Sequence, residues 1–198
     1  MFELVKRRAG LQDWECRLEQ GDAAPPPIGA VGAVGEYSQK STLGTFSVEG
    51  NTPVIRYTPD LLQDPVGLAA TFAHELAHLV IHSLGIPPGG EALEEHATDC
   101  AAVYLGFGVF KANSARHFSQ FSDGEYHGWS ASASGYLSES ALVTALALFE
   151  ARFELPDYAN AELKDYLRPA HCKAQKYLAK RHPNLKTDIE AVDFSDWA

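Results

Sequence analysis

The stretch from Pro65 to Leu84, PVGLAATFAHELAHLVIHSL, constrains the fold of this chain more than any other. Asp64 suits the position just before a helix, and Pro65 suits the first turn, where its missing N–H costs nothing. Gly85 and the pair Pro87-Pro88 then stop the run about five turns later. A helix of this length, apolar on nearly every side, belongs in the middle of a domain, because any exposed side would leave apolar surface in water. Its only ionisable side chains are His74, Glu75, His78 and His82. Removing such groups from water is costly unless something pairs with them.

The spacing says what the partner is. His74 and His78 are four residues apart, so both imidazoles leave one face of the helix, a turn apart, within reach of a single ion. Glu75 stands about 100° round the helix from His74, beside such an ion rather than on it, where a base facing a water belongs. The string His74-Glu75-Leu76-Ala77-His78 is thus an HExxH motif in a helical context. Zinc, the expected ion, takes three protein ligands at a catalytic site and leaves one position to water. His82 is a poor third ligand, since eight residues of straight helix place it about 12 Å along the axis from His74. A second helix, expected over residues 91–105 and stopped by Gly106 and Gly108, is the better source. There Glu95 and Asp99 share a face, so Glu95 can bind the ion while Asp99 accepts the other N–H of a ligating histidine. Glu91, Glu94, His96 and Asp99 itself also carry donor atoms; Glu95 is preferred because Asp99 follows it by one turn.

HExxH followed on a later helix by ExxxD resembles the gluzincins, a family of zinc metallopeptidases, over about residues 53–105. The resemblance implies that His74, His78 and Glu95 ligate zinc, that Glu75 is the general base of peptide hydrolysis, and that Asp99 supports a ligand. It also implies an edge strand beside the active helix that holds an extended peptide, a place residues 54–57 would fill. A Tyr or His from a later segment would steady the oxyanion, with Tyr136, His127 and Tyr126 as candidates. The short site is similar as well to the HELxH sites of compact bacterial metallopeptidases that cleave regulators. The expectation is an active peptidase. Its alternatives are a zinc-binding regulatory or interaction module without catalysis, and a toxin or effector protease.

Around this core the chain reads as α+β. Thr45-Phe46-Ser47-Val48 and Val54-Ile55-Arg56-Tyr57 alternate on either side of Glu49-Gly50-Asn51, a hairpin pattern, with Pro53 at a strand start. Ser138 caps a further helix ending at Pro156, while residues 111–137 show no period and are expected as loop. The basic segment beyond is expected as two helical pieces broken near Pro169. The expected architecture is a small antiparallel or mixed sheet beside the HExxH helix, with several further helices packed against it. Gly and Pro crowd residues 21–35. Residues 1–35 are accordingly expected as an arm and linker, residues 36–186 as a gluzincin-like domain, and residues 187–198 as an acidic tail.

Composition narrows the partners. A net charge of −10 disfavours nucleic acid, because phosphate would meet a mostly negative surface. Residues 164–186 are the exception, with seven basic side chains against one acid. They form a candidate docking face for a partner, although a solvated helix face has the same pattern. Hydrophobic residues at 45% and charged residues at 21% make a globular composition. Three cysteines without a CxxC pair, no apolar run long enough to span a membrane and no signal-like start point to a cytoplasmic address. A peptide or protein is the expected substrate.

Overall fold

The computed structural model describes residues 1–22, 44–87, 89–120, 137–155 and 157–192. Its fold is α+β, built around the helix α2 (Pro65–Leu84). Asp64 opens α2 as its chemistry suggests, its Oδ1 accepting the N–H of Gly67 at 3.0 Å, with Pro65 in the first turn. Phe72, Ala73, Leu76 and Ala77 are at most 2% exposed, the burial that an all-round apolar helix requires. No described helix is long and apolar enough to cross a membrane.

A three-stranded sheet packs against α2, made of β1 (Arg17–Gln20), β2 (Gly44–Glu49) and β3 (Thr52–Tyr57) in the order β1-β3-β2. β2 and β3 form the expected antiparallel hairpin, with Phe46 opposite Ile55. β1 runs parallel to β3 and sets Leu18 beside Ile55. Leu18, Ile55 and Phe46 therefore make one row turned toward the core around α2. The other face carries an ion ladder in which Glu19 pairs with Arg17 at 2.7 Å and with Arg56 at 2.9 Å, and both arginines also meet Glu49. These charges direct a strand whose sequence, Arg17-Leu18-Glu19-Gln20, has little apolar alternation to announce it. The expectation of residues 54–57 as an edge strand is corrected: β1 covers that side, so β3 is central, and among the described strands β2 is the edge packed on α2.

The first residues are part of the domain rather than an arm. In α1 (Phe2–Arg8) and just after it, Phe2, Val5 and Leu11 are buried in the same core as α2. The ring of Phe2 meets Phe72 edge-on at 5.2 Å. The arm expected over residues 1–35 is thus corrected for residues 1–22.

Downstream of α2, the second expected helix is shorter than its pattern suggested, α3 (Glu94–Ala102). A kinked turn follows over Val103–Phe107, where Gly106 takes a φ of 94° that other residues adopt only under strain. The chain then enters α4 (Gly108–Gln120), which corrects the expected loop over residues 111–120, while residues 121–136 lie outside the described set. The buried positions of α4 include Lys111 and Ser114, so its sequence lacks the aliphatic stripe that would have marked a helix.

Ser138 caps α5 (Glu139–Phe153) by accepting the N–H of Ala141 at 3.2 Å. Pro169 lies in the first turn of α6 (Arg168–Arg181), so it opens one helix instead of breaking two. The expected acidic tail starts inside a last short helix, α7 (Leu185–Glu190), and its final residues, 193–198, lie outside the described set. α5 and α6 are joined by the buried Glu150, which accepts from Ala159 N at 2.8 Å and from Gln175 at 2.9 Å. Lys173, Lys176 and Lys180 of the basic segment are exposed on α6.

If residues 1–22 are core, Phe2→Ala is expected to destabilise the fold by about 3 kcal/mol, as buried aromatic truncations do. Urea unfolding checks this, and a midpoint equal to that of the parent chain would return the segment to an arm.

Candidate metal centre

α2 turns His74 and His78 toward α3, and the carboxylate of Glu95 comes between them. Its Oε2 lies 3.2 Å from His74 Nε2 and 3.6 Å from His78 Nε2. One donor atom from each of the three residues lies within 4.8 Å of the others. A tetrahedral ion with bonds of about 2.0–2.1 Å holds its ligand atoms about 3.3 Å apart, so the carboxylate-to-ring spacings already match the edges of such a site. Glu95 Oε2 is buried and has no aligned hydrogen-bond donor among the described residues. A buried oxygen facing two ring nitrogens without a hydrogen bond is an arrangement that a cation completes. The three residues can hold a metal ion.

Each histidine is aimed by a partner on α3. His74 is 4% exposed, and its Nδ1 donates to Asp99 Oδ1 at 2.9 Å. His78 Nδ1 lies 3.3 Å from Thr98 Oγ1, whose hydroxyl donates to the Glu94 carbonyl at 2.9 Å. With its proton committed there, Thr98 accepts from His78 Nδ1, which leaves both Nε2 atoms facing Glu95. Glu95, Thr98 and Asp99 stand at i, i+3 and i+4 and so share one face of α3. Sequence reading overlooked Thr98; that spacing was the signal that could have found it.

Burial raises charge costs throughout the cluster, and the neighbours decide where each proton goes. For His74, burial and the Lys111 charge push the imidazolium down, but Asp99, Glu95 and Glu75 outweigh them and hold its pKa above the usual histidine range. Burial pushes the Glu95 carboxyl up, yet the imidazoles of His74 and His78 hold it well below the ordinary carboxylate range. Asp99 is likewise pushed up by burial and brought below its usual value by His74 and Lys111. Glu75 goes the other way. Burial raises its carboxyl against the opposing influence of His74 and His78.

Glu75 is 5% exposed and not among the three donors, as its place round the helix predicts. The start of β2 lies against it. A Cβ on Gly44 would stand 2.5 Å from Thr71 Cγ2 and 2.9 Å from Glu75 Oε1, so only glycine lets the strand come this close. Further along β2, the Phe46 ring stacks on His78, with centroids 6.0 Å apart and an 11° tilt.

His82 is exposed, next to Phe46, and outside the cluster, in keeping with its distance along α2. Neither His96 nor Glu94 is a member; Glu94 comes no closer than 3.8 Å to His78 Nδ1. The side chain of Glu91 and the whole of Tyr126, His127 and Tyr136 lie outside the described residues. No protein-family profile, curated protein or solved structure matches the chain.

Thr98→Val keeps the shape of the side chain and removes the acceptor for His78 Nδ1–H. It is expected to weaken binding of a divalent ion by about 10-fold, within the range of such orienting partners, with the circular dichroism spectrum unchanged. A chelator competition titration reads the affinity, and equal affinities would show that His78 needs no orienting hydroxyl.

Proposed function

We propose that this chain is a zinc-dependent metallopeptidase of gluzincin type, in which His74, His78 and Glu95 hold the ion and Glu75 is the general base. The observation that carries the reading is the placement of a buried, unligated carboxyl, Glu75, beside a three-donor N₂O cluster whose ring nitrogens are oriented from behind. Two neutral imidazoles and one carboxylate are a donor set that suits zinc with a remaining open position. When bound, zinc supplies Lewis-acid polarisation of a carbonyl and brings the pKa of water toward neutrality.

The residues of the chain do the rest. Glu75 takes a proton from the attacking water as the new C–O bond forms, then delivers it to the leaving nitrogen as the C–N bond breaks. A carboxyl raised by burial suits both halves of that exchange, because it holds a proton more readily than an exposed one. Asp99 and Thr98 keep the two imidazoles in one tautomer. The side of β2 away from β3, which has no strand partner among the described residues and begins against Glu75, offers backbone N–H and C=O groups to an extended peptide, and Phe46 beside His78 provides an apolar contact for its side chains. The presence of Glu75 favours an enzyme over a silent zinc module, since a purely structural site has no use for a base there.

Metal analysis of the purified chain is expected to find one zinc per molecule, lost in His78→Ala. Glu75→Gln is expected to keep the zinc and the fold while cleavage of a proteome-derived peptide library, read by mass spectrometry, falls by at least about 100-fold. A Glu75→Gln protein that loses its zinc would make Glu75 a ligand. One that cleaves as the parent does would remove the base from the mechanism.

A further inference from the structure

Behind the candidate centre lies a buried cation that neither the motif nor its usual chemistry requires. Lys111 of α4 is 4% exposed, and taking an ammonium out of water is costly without a close anion. Its Nζ lies 2.6 Å from Asp99 Oδ1, the same oxygen that accepts from His74 Nδ1, and 3.4 Å from that ring nitrogen. The second oxygen, Asp99 Oδ2, accepts the backbone N–H of Leu137 at 2.8 Å, just ahead of α5. A carboxylate only 1% exposed is thus gripped at both oxygens, from three different parts of the chain.

The reach of Lys111 to this point is not a by-product of helix geometry. Twelve residues of straight helix would carry it about 18 Å along the axis from Asp99. The kink at Gly106, with its φ of 94°, turns α4 back so that the ammonium returns to the base of α3. Charge gives a reason for that return. Glu75, Glu95 and Asp99 bring three carboxylates to a divalent ion, and in a poorly solvated site the excess negative charge is best neutralised by one further cation.

We propose that Lys111 is a positioning residue of the metal centre: it clamps Asp99 Oδ1 and, through that carboxylate, locks the His74 ring with Nε2 turned to Glu95. The proposal rests on the zinc reading above. Lys111 touches neither substrate nor ion in this role. Its effect passes through Asp99, and this gives it a signature that a general packing role lacks.

The test compares the full chain with Lys111→Met, Asp99→Asn and the double variant, using zinc(II) in a chelator competition and the visible spectrum of the cobalt(II)-loaded protein. Lys111→Met is expected to bind zinc about 10–100-fold more weakly, the usual cost of losing an orienting partner, and to shift the cobalt bands. The double variant is expected to bind zinc no more weakly than Asp99→Asn alone, because the carboxylate charge through which Lys111 acts is already gone. If Lys111→Met fails to fold, the comparison of Asp99→Asn with the double variant still decides, since the latter leaves no charge unpaired between the two positions. Parent-like zinc affinity and cobalt bands in Lys111→Met would overturn the proposal, as would a further tenfold loss in the double variant. A parent chain that binds no zinc would overturn the metal reading itself, and the inference with it.

Discussion

His74 and Glu75 sit in the middle of an apolar helix at 4% and 5% exposure, and the cost of keeping such groups from water governs where the rest of the chain goes. His74 must be met by partners that α2 itself does not provide. α3 answers for the histidines with Glu95, Thr98 and Asp99 on one face. Asp99, now buried in turn, is answered by Lys111 from α4 and by the N–H of Leu137 ahead of α5. The helical half of the molecule therefore holds a series of compensations that starts from His74, each burial creating the need for the next. Removing one member leaves a polar group stranded in the interior rather than merely deleting a contact.

What could be read from the sequence follows the same logic. α2 was legible because a long apolar run, an Asp64-Pro65 start and an HExxH spacing agree with one another. Glu95 and Asp99 were legible because one helical turn relates them, and Ser138 because a cap is a local matter. β1 was not, since Arg17 and Glu19 owe their place to Arg56 and Glu49, which are distant in sequence. Nor was α4. Its buried side chains include an ammonium, whose partner Asp99 is met only once the chain has turned at Gly106, and a hydroxyl that donates to the Lys111 carbonyl of the same helix. The edge strand was misplaced for a related reason: a central strand and an edge strand have the same alternation, and only the unseen β1 distinguishes them.

The sheet contributes to the centre mainly through β2. Its inward row, Phe46 with Ile55 and Leu18, belongs to the core, while its first residue, Gly44, lies on the side chain of Glu75. One short strand thereby sets how much room the buried carboxyl has and what stands over His78. The charged outer ladder, by contrast, is largely solvent-exposed, where ion pairs add little to stability; its main effect is to hold register so that the inner row meets α2.

The two grips on Asp99 have a consequence for how this protein can vary. Lys111, near the start of α4, ties that helix to one oxygen, and the backbone of Leu137, just ahead of α5, is tied to the other. Three helices, α2 through His74, α4 through Lys111 and α5 through Leu137 just ahead of it, are thus joined at a single carboxylate. A substitution at Asp99 is therefore felt in all three at once, and the elements it joins can change only together.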